Sequence, residues 1–261
     1  MKLSEADLKF LVETAATQRQ DHDFVIDLVR DKEDFLEQML DDPKLVRRIL
    51  SDEEALVRIS PWMLFNILLR QTRRDLETRS YINEVGQRGE RIPIFEAGDV
   101  ASLLDDKPPR DYLVDMMSSF ARTSSSVTYR LERGRLRRRR FSDMDMDDMI
   151  HLCNRAAPEE RPRYYQRIAD IALFLAGIFP EQTRYGIGRR RSRFAPKRTL
   201  DDYDREGEAF YRLAARESRE TGLGPVLHTL SEKFTLARRA LNFLSERYMR
   251  SQMVPYFGLT E

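Results

Sequence analysis

Ser124–Ser142, SSSVTYRLERGRLRRRRFS, is where a helical rhythm gives way to alternation, and it limits every fold the rest of the chain can adopt. Val127, Tyr129 and Leu131 alternate with polar residues, as one side of a strand requires. Arg133-Gly134 supplies the turn, because glycine reaches positive φ without steric cost. A loop centred there pairs Leu131 with Leu136, Tyr129 with Arg138 and Val127 with Arg140. Arg130, Glu132, Arg135, Arg137 and Arg139 then share the opposite face, where like charges repel across the strands. One acid among four arginines leaves that face needing solvent or an anion.

Around this ribbon the pattern is helical. Ser4 with Asp7 marks a helix start. From residue 21 an N-cap recurs about every ten residues, at Asp21, Asp31, Asp42 and Ser51, each followed by a short apolar cluster. Pro43 suits a first helical position, and Ser51 with Glu54 reads as a capping box. These features predict an array of short helices over residues 1–60. Ser60-Pro61 opens a longer helix from Trp62 to about Arg79, buried in its first half, WMLFNILL. Tyr81–Phe95, with Gly86, Gly89 and Pro93, reads as an irregular segment ending in a short strand, Arg91–Phe95. Helices are expected at Ala97–Leu104 and from Pro108-Pro109 to about Ala121.

That order (helix, strand, helix, helix, strand, turn, strand) resembles a winged helix-turn-helix. The resemblance places residues 109–121 as recognition helix and the Arg-rich hairpin as wing. It implies that Arg110, Ser118, Ser119 and Arg122 are the candidate base readers, with Asp111 and Asp115 facing phosphates unfavourably.

After the hairpin, Ser142 is placed to cap a helix carrying Met144, Met149, Ile150 and Leu152. A second helix runs from Pro158 to Pro180. Gln182–Arg198 lacks periodicity and reads as a basic loop. Leu200–Arg219 is a helix with Tyr203, Phe210, Leu213 and Ala214 inward. The last helix, about Pro225 to Met249, carries a heptad seam of Leu227, Leu230, Phe234, Ala237, Leu241, Leu244 and Tyr248. The seam packs inside the chain or against a second copy. The expected fold is therefore mainly α: an acidic short-helix array (1–60), a helical region with a small central hairpin, winged-helix-like in order (61–141), and a C-terminal helical bundle with a basic loop (142–261).

Charge separates these parts. Overall 45 Lys and Arg oppose 44 Asp and Glu, which argues against a wholesale polyanion binder. Residues 1–60 nevertheless hold 9 basic against 15 acidic residues, and residues 121–200 hold 19 against 9. The basic middle either meets an anionic partner or is neutralised by the acidic part.

Enzyme signatures are absent from the sequence. The single cysteine, Cys153, excludes an intrachain disulfide and a two-thiolate zinc site. His151 and Cys153, two positions apart on a helix, point away from each other. Asp143, Asp145, Asp147 and Asp148 begin like a calcium loop, but Asp148 and Asn154 stand where glycine and glutamate are required. Gly186-x-Gly188 lacks the third glycine and the preceding strand of a dinucleotide site. No Walker, H-E-x-x-H or G-x-S-x-G pattern occurs, so no cofactor or metal is assigned. An enzyme built from dispersed acids and arginines stays open. Acidic residues from Glu5 and no apolar leader predict a cytoplasmic chain, and Ile168–Phe179, interrupted by Asp170, is too short to span a membrane.

Two basic stretches carry the functional expectation. Arg130, Arg133, Arg135, Arg137, Arg138, Arg139 and Arg140 form one; Arg189, Arg190, Arg191, Arg193, Lys197 and Arg198 form the other. Tyr129 and Phe194 offer stacking planes among them. The reading is a non-catalytic binding or regulatory protein that engages an anionic partner, nucleic acid above all. The alternatives are a helical adaptor that binds protein and forms a homodimer through its last helix, and an enzyme of unrecognised type.

Overall fold

The computed structural model describes residues 3–16, 21–85, 90–121, 125–132, 135–142, 144–180, 198–218 and 222–249, with strands 125–132 and 135–142 described by their backbone. Five short helices open the chain: α1 (Glu5–Ala15), α2 (His22–Asp31), α3 (Glu33–Leu40), α4 (Pro43–Ser51) and α5 (Glu53–Arg58). At the expected helix start Ser4 and Asp7 form a capping box, each side chain accepting from the other's backbone N–H. Asp42 accepts from the Lys44 N–H with Pro43 in the first turn, as expected. Two caps differ by one residue. Lys32, not Asp31, precedes α3. Asp52, not Ser51, accepts from the Ala55 N–H. Ser51 completes α4 instead and donates back to the Arg48 carbonyl, the local bond that competes with a serine's capping role.

Helix α6 (Pro61–Glu77) is capped by Ser60, whose hydroxyl accepts from the Met63 N–H. Its apolar start is buried as expected, with Met63, Leu64, Phe65, Leu68 and Leu69 fully covered. Beyond it, β1 (Ile82–Val85) pairs antiparallel with β2 (Arg91–Ile94), a partner strand the sequence pattern did not reveal. Gly86 and Gly89 lie outside the described residues. Helices α7 (Ala97–Asp105) and α8 (Lys107–Phe120) follow, and both pack on α6.

The hairpin forms as the alternation requires. β3 (Ser125–Glu132) and β4 (Arg135–Ser142) are antiparallel, with Leu131 across from Leu136, Tyr129 from Arg138 and Val127 from Arg140. This is the expected register. It is a separate two-stranded sheet, however, and among the described residues β2 pairs with β1 alone. A winged helix joins its early strand to the wing in one sheet, so that part of the resemblance is corrected here. The place of the recognition helix is also filled differently. α8 buries Arg110, Tyr112, Leu113, Val114, Met116, Met117 and Phe120. Its apolar residues outnumber what a groove-reading face could leave exposed, and tertiary burial takes them.

The remaining helices make the bundle: α9 (Met146–Cys153), α10 (Arg161–Ile178), α11 (Leu200–Glu217), α12 (Gly224–Glu232) and α13 (Phe234–Leu244), continued by a π turn at Ser245–Met249. Asp145 caps α9 through the Asp148 N–H, three residues after the expected Ser142. Thr199 and Asp202 form a full capping box on α11. Gly222, at φ 73°, turns the chain into α12. The expected long last helix is broken at Lys233, but every seam residue from Leu227 to Tyr248 is buried. α10, α11, α7 and α6 supply the surfaces that cover it. The seam is thus filled within one chain. Leu213, expected inward, is partly exposed, and Tyr211 takes the buried place. The buried apolar side chains form one cluster running from Leu8 to Met249. No helix among the described residues is long and apolar enough to cross a membrane.

Candidate anion-binding site

The β3–β4 register is the geometry that bears on the basic ribbon. Arg130 stands across from Arg137, Thr128 from Arg139 and Glu132 from Arg135. Five of the eight β4 residues, RLRRRRFS, are arginines, and the only acid in either strand is Glu132. β4 runs beside α9. Arg133, between the two strands in sequence, lies outside the described residues, as do Arg189, Arg190, Arg191, Arg193 and Lys197 of the second basic stretch.

Arg198 ends that stretch, and its surroundings are defined. Its terminal nitrogen is 2.8 Å from an Asp147 carboxylate oxygen and its Nε is 2.9 Å from Glu206. One acid comes from the first turn of α9, the other from α11. The side chain is 15% exposed, so the pair ties Arg198 to two helices rather than presenting it to a ligand. Asp147 was one of the four aspartates whose spacing imitates a calcium loop. Among the described residues no cluster of metal-ligating side chains occurs.

The acidic array is neutralised elsewhere. Glu37 of α3 accepts from Arg70 at 2.5 Å and from Arg110 at 3.1 Å, and lies 3.5 Å from Lys107. Asp41 meets Arg70 at 3.2 Å and Arg74 at 3.2 Å. Arg70 is 2% exposed, and its Nε donates to Asn66. Burial alone would raise the carboxyls of Glu37 and Asp41, but the guanidiniums around them outweigh it and hold both below the usual range. These acids therefore hold α3 to α6 and α8. Of the four residues expected to read bases on α8, Arg110 is bound in this cluster. Ser118 donates to the Val114 carbonyl, and Ser119 donates to Met116 and accepts from Arg167. Arg122 lies outside the described residues. Asp111 pairs with Lys107, and Asp115 accepts from the Trp62 indole at 3.0 Å.

A second polar centre lies in the core and escaped the sequence reading. Asp170, on α10, accepts from the Tyr112 hydroxyl at 2.6 Å and from the Tyr211 hydroxyl at 2.7 Å. Burial pushes its carboxyl up to about 6, against the two hydroxyls and the charge of Arg167. The same burial, with the neighbouring carboxyl, carries both phenols well above their ordinary value. The tyrosines are 8% and 0% exposed and Asp170 6%, so the centre is sealed from substrate and serves to join α8, α10 and α11. An aspartate inside an apolar helical run was the signal for it, since such a group must find partners wherever it is buried. Cys153 is likewise buried, and burial pushes its thiol up, the opposite of what a nucleophile needs.

Comparison with protein-family models, with curated proteins and with solved structures finds no match.

Proposed function

We propose that this chain is a non-catalytic, cytoplasmic binding or regulatory protein that engages nucleic acid through its Arg-rich hairpin, with the 182–198 loop as a second contact. The observation that supports this reading is the β3–β4 register, which sets Arg130 opposite Arg137 and gathers five arginines on one short strand with Glu132 as the only acid. Like-charged residues directly across two strands repel one another and are relieved by a polyanion, and arginine is suited to phosphate by its planar fork. The ion pairs of Glu37 and Asp41 with Arg70 and Arg110 add to it, because they direct N-terminal acids towards α6 and α8. Phosphate contacts of this kind position a nucleic acid without reading its sequence.

Fluorescence anisotropy with labelled duplex and single-stranded DNA and RNA, from about 50 to about 200 mM salt, tests the proposal. Binding is expected to weaken with salt at a slope of about −0.9 per duplex phosphate neutralised. Replacing Arg137, Arg138, Arg139 and Arg140 by Ala should make that slope shallower by about 3 to 4. Absence of binding at the lowest salt, or a slope unchanged by the four substitutions, would overturn it.

A further inference from the structure

Apart from the hairpin, a groove of about 370 Å³ opens between the end of α6, the β1–β2 ribbon and the π turn. Its walls carry Arg79, Asn83, Arg91, Phe243, Glu246 and Arg247. Three guanidiniums face one carboxylate on these walls, and with Asp75 paired to Arg247 an excess of one positive charge remains in a space large enough for a small ligand. This residue set is scattered over more than 160 positions of sequence, so no local pattern signals it.

Two of the three arginines are held by different devices. Arg247 is paired through Nε with Asp75 of α6 at 2.8 Å. Asp75 is itself fixed by Gln71 at 2.8 Å and by the Tyr248 hydroxyl. Arg79 lies over the Phe243 ring, its guanidinium carbon 5.2 Å from the centroid. Arg91 stands on β2 across from Val85, and no ion pair to Arg79 or Arg91 occurs among the described residues. The β1 wall is also anchored: Glu84 binds Arg238 at 2.7 Å and Arg239 at 3.0 Å on α13. The π turn at Ser245–Met249 is a second, independent sign, since such turns are costly insertions found often at functional sites. Here it brings both Arg247 and Tyr248 to Asp75.

The geometry points to a binding site for a phosphate monoester, in which Arg79, Arg91 and Arg247 clasp the dianion and Asn83 offers its amide. A phosphate monoester carries nearly two negative charges at neutral pH and three acceptor oxygens, which suits the groove's positive excess and its forked donors. The group could belong to a small metabolite or to the 5′ end of a nucleic acid, and the experiment separates these sources. The inference does not rest on the hairpin reading.

Isothermal titration calorimetry of the full chain with inorganic phosphate, a 5′-mononucleotide and the corresponding nucleoside is the test. The mononucleotide is expected to bind at least about tenfold more tightly than the nucleoside, and Arg91→Gln to weaken it about tenfold. Arg79→Gln should act in the same direction, while Arg58→Gln, on an exposed pair with Glu54, should leave binding unchanged. Titrating 5′-phosphorylated against 5′-hydroxyl oligonucleotides into the Arg137–Arg140 to Ala variant gives the other arm. A preference for the phosphorylated end there, lost in Arg91→Gln, identifies a nucleic-acid terminus as the source. The proposal is overturned if no phosphate monoester binds at millimolar concentration, or if binding is the same in Arg91→Gln and in the parent chain.

Discussion

Asp170 should make this fold less stable as pH rises, and substituting it by asparagine should remove that dependence. Its carboxyl moves from an ordinary 3.8 to about 6 on folding, so between those values the folded state holds a proton that the unfolded chain has released. Stability from this group is complete below the unfolded value and is lost as pH climbs through the folded one. Two units at about 1.4 kcal/mol each make the full effect about 3 kcal/mol. Between pH 4 and pH 7, where the unfolded group is already half ionised at the start, about 2–3 kcal/mol of it is measurable. Asp170→Asn keeps an oxygen to accept from Tyr112 and Tyr211 but cannot ionise. Any cost of its new N–H groups is independent of pH and cancels in the comparison. Urea unfolding of both proteins at pH 4, 5, 6 and 7 gives the two curves. The difference in stability, Asn variant minus parent, should rise by about 2–3 kcal/mol across the range. A difference that stays flat would refute the reasoning, because the buried carboxyl would then titrate alike in both states. Asp170→Ala should behave otherwise: two buried hydroxyls lose their acceptor at about 1–3 kcal/mol each, and the variant is destabilised at every pH.

Other sites give independent tests. Glu37→Gln leaves Arg70 and Arg110, 2% and 7% exposed, without that carboxylate and should cost about 3–5 kcal/mol in denaturant unfolding. Glu37, Asp41 and Glu84 are held below their ordinary 4.5, 3.8 and 4.5 by their arginines, which outweigh burial. Their contribution is therefore present above those values and lost as pH falls through the lowered ones, so urea midpoints of the parent should fall again in acid even as Asp170 gains. A Cβ on Gly207 would lie 2.3 Å from the Phe234 ring, which is fully buried, so Gly207→Ala should lower stability by about 1–3 kcal/mol, read from its urea midpoint. Arg198→Ala removes the guanidinium that Asp147 and Glu206 share, and hydrogen exchange should quicken at the first turns of α9 and α11 with little change elsewhere.

What the sequence determined by itself was local. Alternation around Arg133-Gly134 settled the β3–β4 register, down to Leu131 against Leu136, because a strand has a period of two and a one-residue slip would exchange its faces. The Ser4, Asp42 and Ser60 caps and the heptad seam from Leu227 to Tyr248 were legible for the same reason: each depends on neighbours within a turn or two. Only tertiary structure decided where the charges went. The partners of Asp170 lie 58 and 41 residues away, and those of Glu37 lie 33 and 73 away. β1 was missed because its partner is defined by pairing, not by its own short INEV pattern. The winged-helix order misled for a related cause, since element order does not fix which strand meets which. A carboxylate or guanidinium looks the same in sequence whether solvated, paired or sealed in a core. Its environment is set by chain segments folded against it, and that is what placed Arg110 in a core cluster, joined Arg198 to two helices and gathered Arg79, Arg91 and Arg247 around one groove.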